Sequence, residues 1–411
     1  METVLIFLGL MRRPQPETRK TLSYECQRAL IEYMEPNKRF RLSRCSPAFH
    51  QIDRLVPLKL DRLCFGQMEA SINCTNHQFG IHREFHKNHK TPKQIDHENR
   101  MGGARYDMDQ YGFAEHPVVL PADLDLYDGS RHPRPTREAN RRRYEALREL
   151  EHIRNSRDVS EENALRFVEL LRMGPPIDES EKLSLTLEAE HLRAPYDSSL
   201  QYIRMLPVHV EETPYTPGSL LKTYRKHLHG FFGGRDTIEV RRLEIEKLGI
   251  VIPLPPGIKF KVRELIIPRQ LTFTLKELSK VLDKSSFPLD LLVVGWDSEG
   301  NFKNPVVRNS KSLVIKGSPW RLQNPRQFFG NLPSDVHMVS RRSSIVEYGA
   351  LIRYWLEIEA EIGRRFTMGF EREVDLLETM NLLREDMNGV GESSDILIHF
   401  RWSAIAKQLE P

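Results

Sequence analysis

Five short apolar segments recur along the second half of the chain and constrain its fold more than any single residue. They are Leu243-Glu-Ile245, Leu265-Ile-Ile267, Leu291-Leu-Val293, Leu313-Val-Ile315 and the weaker Val336-His-Met338, at steps of 22, 26, 22 and 23 residues. Each is long enough for one strand, and each interval is long enough to cross back over a sheet. A hairpin needs only a few linking residues, whereas a parallel neighbour needs a dozen or more. The spacing predicts parallel strands laid side by side in chain order with covering helices. Such stacks present broad surfaces for recognition.

At 411 residues, 39% apolar and 29% charged, the chain has the composition of a globular protein of two or three domains. The predicted class is α/β, or α+β overall. A small N-terminal helical module precedes a degenerate leucine-rich-repeat-like, mainly parallel sheet. The expected divisions are a tail over 1–20, a helical module over 21–60 and a strand with a His/Gly/Pro-rich segment over 61–135. A charged helical connector over 136–176 and an α/β repeat-like domain over 183–411 follow. The net charge of +4 is too slight to imply nucleic acid, and four cysteines in so long a chain read as free thiols. Val4 to Met11 is apolar, but its positive charges follow it and it is too short to span a bilayer. No membrane association and a cytoplasmic or nuclear location are expected.

Residues 21–56 read as three short helices. Ser23 suits an N-cap, and Cys26, Ala29, Leu30, Tyr33 and Met34 recur at helical spacing as one apolar stripe. Glu35-Pro36-Asn37 ends that helix, with Asn37 capping the next. Ser46-Pro47 then supplies an N-cap and N1 proline. Pro57 to Phe65 alternates as a strand. From 73 to 135 the polar, Gly/Pro/His-rich composition predicts irregular structure or a long mobile segment. A helix opens near Thr136; residues 131–157 hold nine arginines and four glutamates. Ser160 caps another. Leu183 to Leu187 and Leu200 to Val210 read as strands. A helix runs from Thr216-Pro217 to about Leu228, where Gly233-Gly234 breaks the chain. Thr274 with Glu277 and Ser344 with Glu347 read as capping boxes. A strand near Arg365 to Phe370, a helix near 372–384 and a strand near Ile396 to Trp402 complete the pattern.

Within the recurring segments the middle residues Glu244, Ile266, Leu292 and Val314 are expected on the face opposite their neighbours. Ile266, Leu292 and Val314 are therefore the candidate partner face, against the plainer expectation that other chain covers them. The histidines of His82-x3-His86-x2-His89 could ligate a metal, the basis of an alternative reading as a metal-dependent hydrolase. No paired cysteines accompany them, and a polar loop accounts for the same composition. The arginine-rich helix reads as a solvated charged face. Phe231-Phe232-Gly233-Gly234-Arg235 places glycines before a strand, the reverse of a phosphate-cradling order, so it reads as a helix stop. No GxSxG, HExxH or Walker pattern occurs, and neither a cofactor, a metal nor catalysis is expected.

Leu22-Ser23-Tyr24-Glu25, with the ladder Ala29, Leu30, Met34, Phe40, Leu42 and the sequel Arg44-Cys45-Ser46-Pro47-Ala48-Phe49, resembles an F-box. Ser23 stands where that motif has proline and Phe49 where it has tryptophan. Leu30-Ile-Glu-Tyr-Met-Glu-Pro-Asn37, Lys90-Thr-Pro-Lys93, Gly102-Gly103, Phe232-Gly-Gly-Arg235, Ser286-Phe-Pro-Leu289 and Val307-Arg308 extend the likeness to a nematode-expanded family of uncharacterised F-box-like proteins. The resemblance implies a non-catalytic substrate receptor of a cullin-RING ubiquitin ligase; the altered positions Ser23 and Phe49 motivate the alternative of a binding module with no ligase link. A Skp-type adaptor and cullin would be its partners, an unknown protein its target, and Leu22, Leu30, Met34, Phe40 and Leu42 its adaptor contacts.

Overall fold

A computed structural model describes residues 22–127, 137–155, 178–205, 208–296, 298–317, 325–339 and 364–369, with residues 378 and 381. The chain is mixed α/β. It divides into two compact units, one of residues 1–238 and 247–258, the other of 239–246 and 259–411. Residues 183–238 thus group with the N-terminal part.

The first unit opens with three helices: α1 (Tyr24–Glu32), α2 (Pro36–Cys45) and α3 (Pro47–Leu55). Ser23 accepts the Cys26 N–H at 3.3 Å and Ser46 the Phe49 N–H at 3.3 Å, as their positions predict. The cap of α2 differs from expectation. Glu35 is the N-cap, Pro36 occupies N1, and Asn37 lies inside the helix. Proline's missing N–H costs nothing at N1, so Pro36 starts the second helix.

Strands β1 (Lys59–Gly66), β2 (Glu69–Ile72) and β3 (Thr75–Phe85) follow as an antiparallel meander. Next come α4 (Lys93–Arg100), the short β4 (Leu124–Asp125), α5 (Arg137–Asn155) and α6 (Glu179–Ala189). The hairpin of β5 (Tyr196–Met205) and β6 (His209–Pro214) extends the meander through an antiparallel β3–β5 pairing. Helix α7 (Ser219–Phe232) buries Leu220, Leu221, Tyr224, Leu228, Phe231 and Phe232.

Three expectations are corrected here. The segment 73–135 is not irregular throughout, because the polar residues of β3 find lateral partners. His77 bonds Tyr202 and Asn37, Gln78 donates to the Met101 carbonyl at 2.6 Å, and Arg83 pairs with Glu98. Leu183 to Leu187 is helical. Its alternating leucines mimic a strand, but Asp178 accepts the Glu181 N–H at 2.8 Å and Glu179 and Glu181 favour the first turn. Leu200 to Val210 is not one strand but takes in parts of two paired ones, β5 and β6.

Gly102-Gly103 has a steric role. A Cβ at Gly80 would lie 2.0 Å from the Gly102 carbonyl oxygen, and one at Gly103, where φ is +94°, would lie 2.7 Å from the Ile81 nitrogen. The loop after α4 therefore packs backbone against backbone on β3, with Ile81 and Ala104 exchanging two hydrogen bonds of 2.9 Å.

In the second unit the strand order is β13-β12-β11-β10-β9-β7. These strands are β7 (Thr237–Ile245), β9 (Lys259–Ile267), β10 (Leu291–Gly295), β11 (Ser312–Lys316), β12 (Asp335–Val339) and β13 (Arg365–Gly369). The short β8 (Val251–Ile252) instead pairs antiparallel with β4 in the first unit. Strands β9 to β13 pair in parallel, as the spacing of the apolar segments predicts. Helices α8 (Leu271–Leu278), α9 (Pro305–Asn309) and α10 (Pro325–Gly330) lie in the connections.

The register corrects one alignment. Leu292 pairs with Leu265 and Leu313, whereas Val293 pairs with Ile266 and Val314. Leu292 therefore shares the face of Leu265, and Val293 takes the place expected of it. The uniform run Leu291-Leu-Val-Val294 hides its phase, because every position is apolar. The Thr274/Glu277 capping box is also absent. Helix α8 begins at Leu271, and buried Thr274 donates to the Arg269 carbonyl at 3.3 Å. Arg365–Gly369 is a strand as expected. The readings around 1–20, Thr136, Ser160, Ser344/Glu347, 372–384 and 396–402 lie outside the described residues, apart from the helical positions 378 and 381.

Candidate interaction surface

Helix α1 has two apolar faces. Its inner face sets Ile31 into a cluster with Leu42, Phe49 and Val56, against which Leu22, Met34 and Ile52 pack. Its outer face carries Cys26, Ala29, Leu30 and, at the C-cap, Tyr33. At 100° per residue these four fall within an arc of about 100°. All four are exposed, Leu30 at 37% and Tyr33 at 89%. Ordinary amphipathic helices keep polar residues on the solvent side, so an uncovered apolar face is the informative departure.

Of the five residues expected to contact an adaptor, Leu30, at 37%, is the one exposed. Leu22 and Met34 are half-buried. Phe40 and Leu42 are 3% and 7% exposed and cannot serve as contact surface. Phe40 stacks on Phe231 with ring centroids 4.8 Å apart, and Leu42 belongs to the cluster beneath α1. A helical ladder read from sequence does not distinguish an inward apolar position from an outward one. Cys26, Ala29 and Tyr33 belong to the predicted stripe but not to the predicted contact set. Their signal was present in the width of the apolar arc, too broad for one core-facing side.

The candidate face of Ile266, Leu292 and Val314 is not a free surface. Ile266, Leu292 and Val314 are 8%, 0% and 7% exposed, and the first and last pack with Val293. Histidines 82, 86 and 89 do not converge on a metal position. His86 lies 3.5 Å from Asp197, the His86 and His89 ring centroids are 6.5 Å apart, and among the described residues no three ligating side chains form a site.

Two buried polar networks fix the helical module beneath the exposed stripe. In one, Asp53 accepts from Arg39 Nε at 2.7 Å, Ser43 Oγ at 3.0 Å and an Arg235 terminal nitrogen at 2.6 Å. Arg39 and Arg235 also bind the carbonyls of Asp53 and Val56. Burial holds the Arg235 guanidinium down at about 10. Arg235 follows Gly233, the C-cap that ends α7 as the paired glycines predict. In the other network Asn37 donates to the Ile72 carbonyl at 3.0 Å, and its Oδ1 lies 3.0 Å from His77 Nε2. His77 Nδ1 lies 2.8 Å from the Tyr202 hydroxyl. Since Asn Oδ1 only accepts, Nε2 carries the proton and Nδ1 accepts from the tyrosine. Burial pushes the His77 pKa down to about 3, so this imidazole is neutral. Both networks are sealed from solvent and read as positioning devices.

The family model described as a domain of unknown function (DUF3557) matches residues 219–372, from the start of α7 to just beyond β13. No curated protein and no solved structure matches the chain. Among the described residues no helix is long and apolar enough to cross a membrane.

Proposed function

We propose that this chain is a non-catalytic interaction protein: an F-box-type substrate receptor that joins a target protein to a cullin-RING ubiquitin ligase. In this reading α1–α3 are an F-box-like module whose outer face on α1 docks a Skp-type adaptor. The leucine-rich-repeat-like strands and the rest of the chain form the target-holding body. No bond is made or broken by the chain itself; it raises the local concentration of a target at the ligase.

The observation that carries the reading is the face of Cys26, Ala29, Leu30 and Tyr33, left uncovered by the described residues, on a helix whose other side is core. Adaptor contacts are assigned to Leu30 and its exposed neighbours, with Phe40 and Leu42 holding the module together beneath them. Pull-down of the full chain with a purified Skp-type adaptor at micromolar concentration tests it. Capture that is lost in Leu30→Asp/Tyr33→Asp supports the receptor. Absence of capture by a folded chain leaves a binding module with no ligase link.

A further inference from the structure

The loop from Pro117 to Pro121 presents three consecutive aliphatic residues to solvent: Val118 at 72%, Val119 at 43% and Leu120 at 43% exposure. It is held in place. The Leu120 N–H donates to Asp123 Oδ2 at 2.8 Å, and the Asp123 N–H returns to the Leu120 carbonyl at 2.9 Å. Arg225 of α7 donates to the same Asp123 oxygen at 2.7 Å and to the Val118 carbonyl at 3.4 Å. Asp123 is 3% exposed, so its charge is spent within the protein on Arg225 and on the loop backbone. A three-residue apolar loop fastened by backbone bonds and a partly buried ion pair is a held projection, and a held projection loses little freedom on binding.

The same arginine sets the loop beside a basic helix face. Lys222 and Lys226 stand one turn before and one residue after Arg225, on the side of α7 opposite its buried residues, and both are exposed. Neither forms an ion pair among the described residues. The apolar loop is thereby tied to the helix that carries these two exposed ammonium groups.

We propose that Val118, Val119 and Leu120 together with Lys222 and Lys226 form a docking surface for an acidic protein segment that carries aliphatic side chains. Charge complementarity selects the acid, and the loop supplies the apolar contact that a purely ionic surface lacks. An anionic bilayer is the weaker fit. Polybasic membrane sites gather four to eight lysines or arginines and place aromatic residues at the interface, and this loop offers two free lysines and no ring. The proposal deepens the receptor reading by naming the class of target, and it is tested apart from adaptor capture so that either can fail alone.

The test is selection of a random 12-residue peptide display library on the immobilised full-length chain, with phosphatidylserine vesicles assayed in parallel. The expected result is enrichment of peptides rich in Asp or Glu with Leu, Ile or Val. Binding of the selected peptides should weaken about tenfold or more in Lys222→Glu/Lys226→Glu, and likewise in Val118→Ser/Leu120→Ser. These positions are exposed, so both variants should keep the wild-type melting temperature and adaptor capture. No enrichment over bare support, enrichment of neutral or basic peptides, affinity unchanged in both variants, or binding to the vesicles in place of peptides would each overturn the proposal.

Discussion

Arg235 donates to Asp53 Oδ2 at 2.6 Å across 182 residues of chain, with both side chains sealed from water. This pair couples the third helix of the N-terminal module to the segment that follows α7. Arg39 approaches the other carboxylate oxygen at 2.7 Å, so one anion serves two guanidinium groups, which also make five bonds to main-chain carbonyls. A buried charge of this kind is tolerated only when most of its hydrogen bonds are also met, and here Arg235 Nε is left without a partner among the described residues.

Replacement of Asp53 by Asn should therefore be costly. Two guanidinium groups would lose their counter-charge without gaining water, a loss of about 3–5 kcal/mol. Equilibrium urea unfolding measures it. A change below about 1 kcal/mol, the size expected of an exposed pair, would contradict the buried geometry.

His77 supplies a pH test. Its folded-state pKa is lowered to about 3 from an ordinary 6.5, mainly by burial. Below 6.5 the unfolded chain takes up a proton that the folded chain refuses, so stability falls as the pH drops. The expected slope is roughly 1.4 kcal/mol per pH unit between about 6 and 3. Above 6.5 this histidine contributes no slope. In His77→Gln that part of the acid sensitivity should disappear, whatever the variant's absolute stability. An unchanged slope would mean that His77 is solvated.

Two glycines should respond in opposite directions. Gly80→Ala would force a Cβ to within 2.0 Å of the Gly102 carbonyl, whereas Gly230, inside α7, has open space at its Cβ position. Gly80→Ala is expected to destabilise by about 1–3 kcal/mol by overpacking. Gly230→Ala is expected to stabilise by about 0.5–1 kcal/mol through helix propensity. Thermal melts of the two variants decide the matter, and equal shifts would refute the close backbone contact.

Much of the architecture was legible because its causes are local. Ser23 and Ser46 cap where their spacing places them, and the intervals between apolar segments are crossover lengths that admit parallel neighbours. The misreadings arose where distant residues decide the outcome. Nothing near His77, Gln78 or Arg83 indicates a strand, because their partners Tyr202, Met101 and Glu98 are remote or arrive after a turn. Helix α7 carries no capping side chain of its own. Asp107 accepts the Leu220 and Leu221 N–H groups at 2.9 and 3.0 Å from more than a hundred residues away. The same limit applies to the surface. Spacing identified the stripe on α1, but the burial of Phe40 depends on the rings of Phe231 and Phe232.

The parallel register gives a fourth expectation. Leu265 and Leu292 are paired neighbours and both are fully buried. Leu265→Ala and Leu292→Ala should each cost about 2–5 kcal/mol, and Leu265→Asp should unfold the second unit. Circular dichroism with limited proteolysis checks both. Tolerance of Asp at position 265 would refute the strand assignment.

The exposed face of α1 is the point on which the functional account rests, and its most direct test is binding of the full-length chain to a purified Skp-type adaptor by calorimetry. The account predicts a saturable one-to-one complex that Leu30→Asp/Tyr33→Asp abolishes without lowering the melting temperature. A folded wild-type chain with no heat of binding at micromolar concentration, or a complex indifferent to that double substitution, would contradict it.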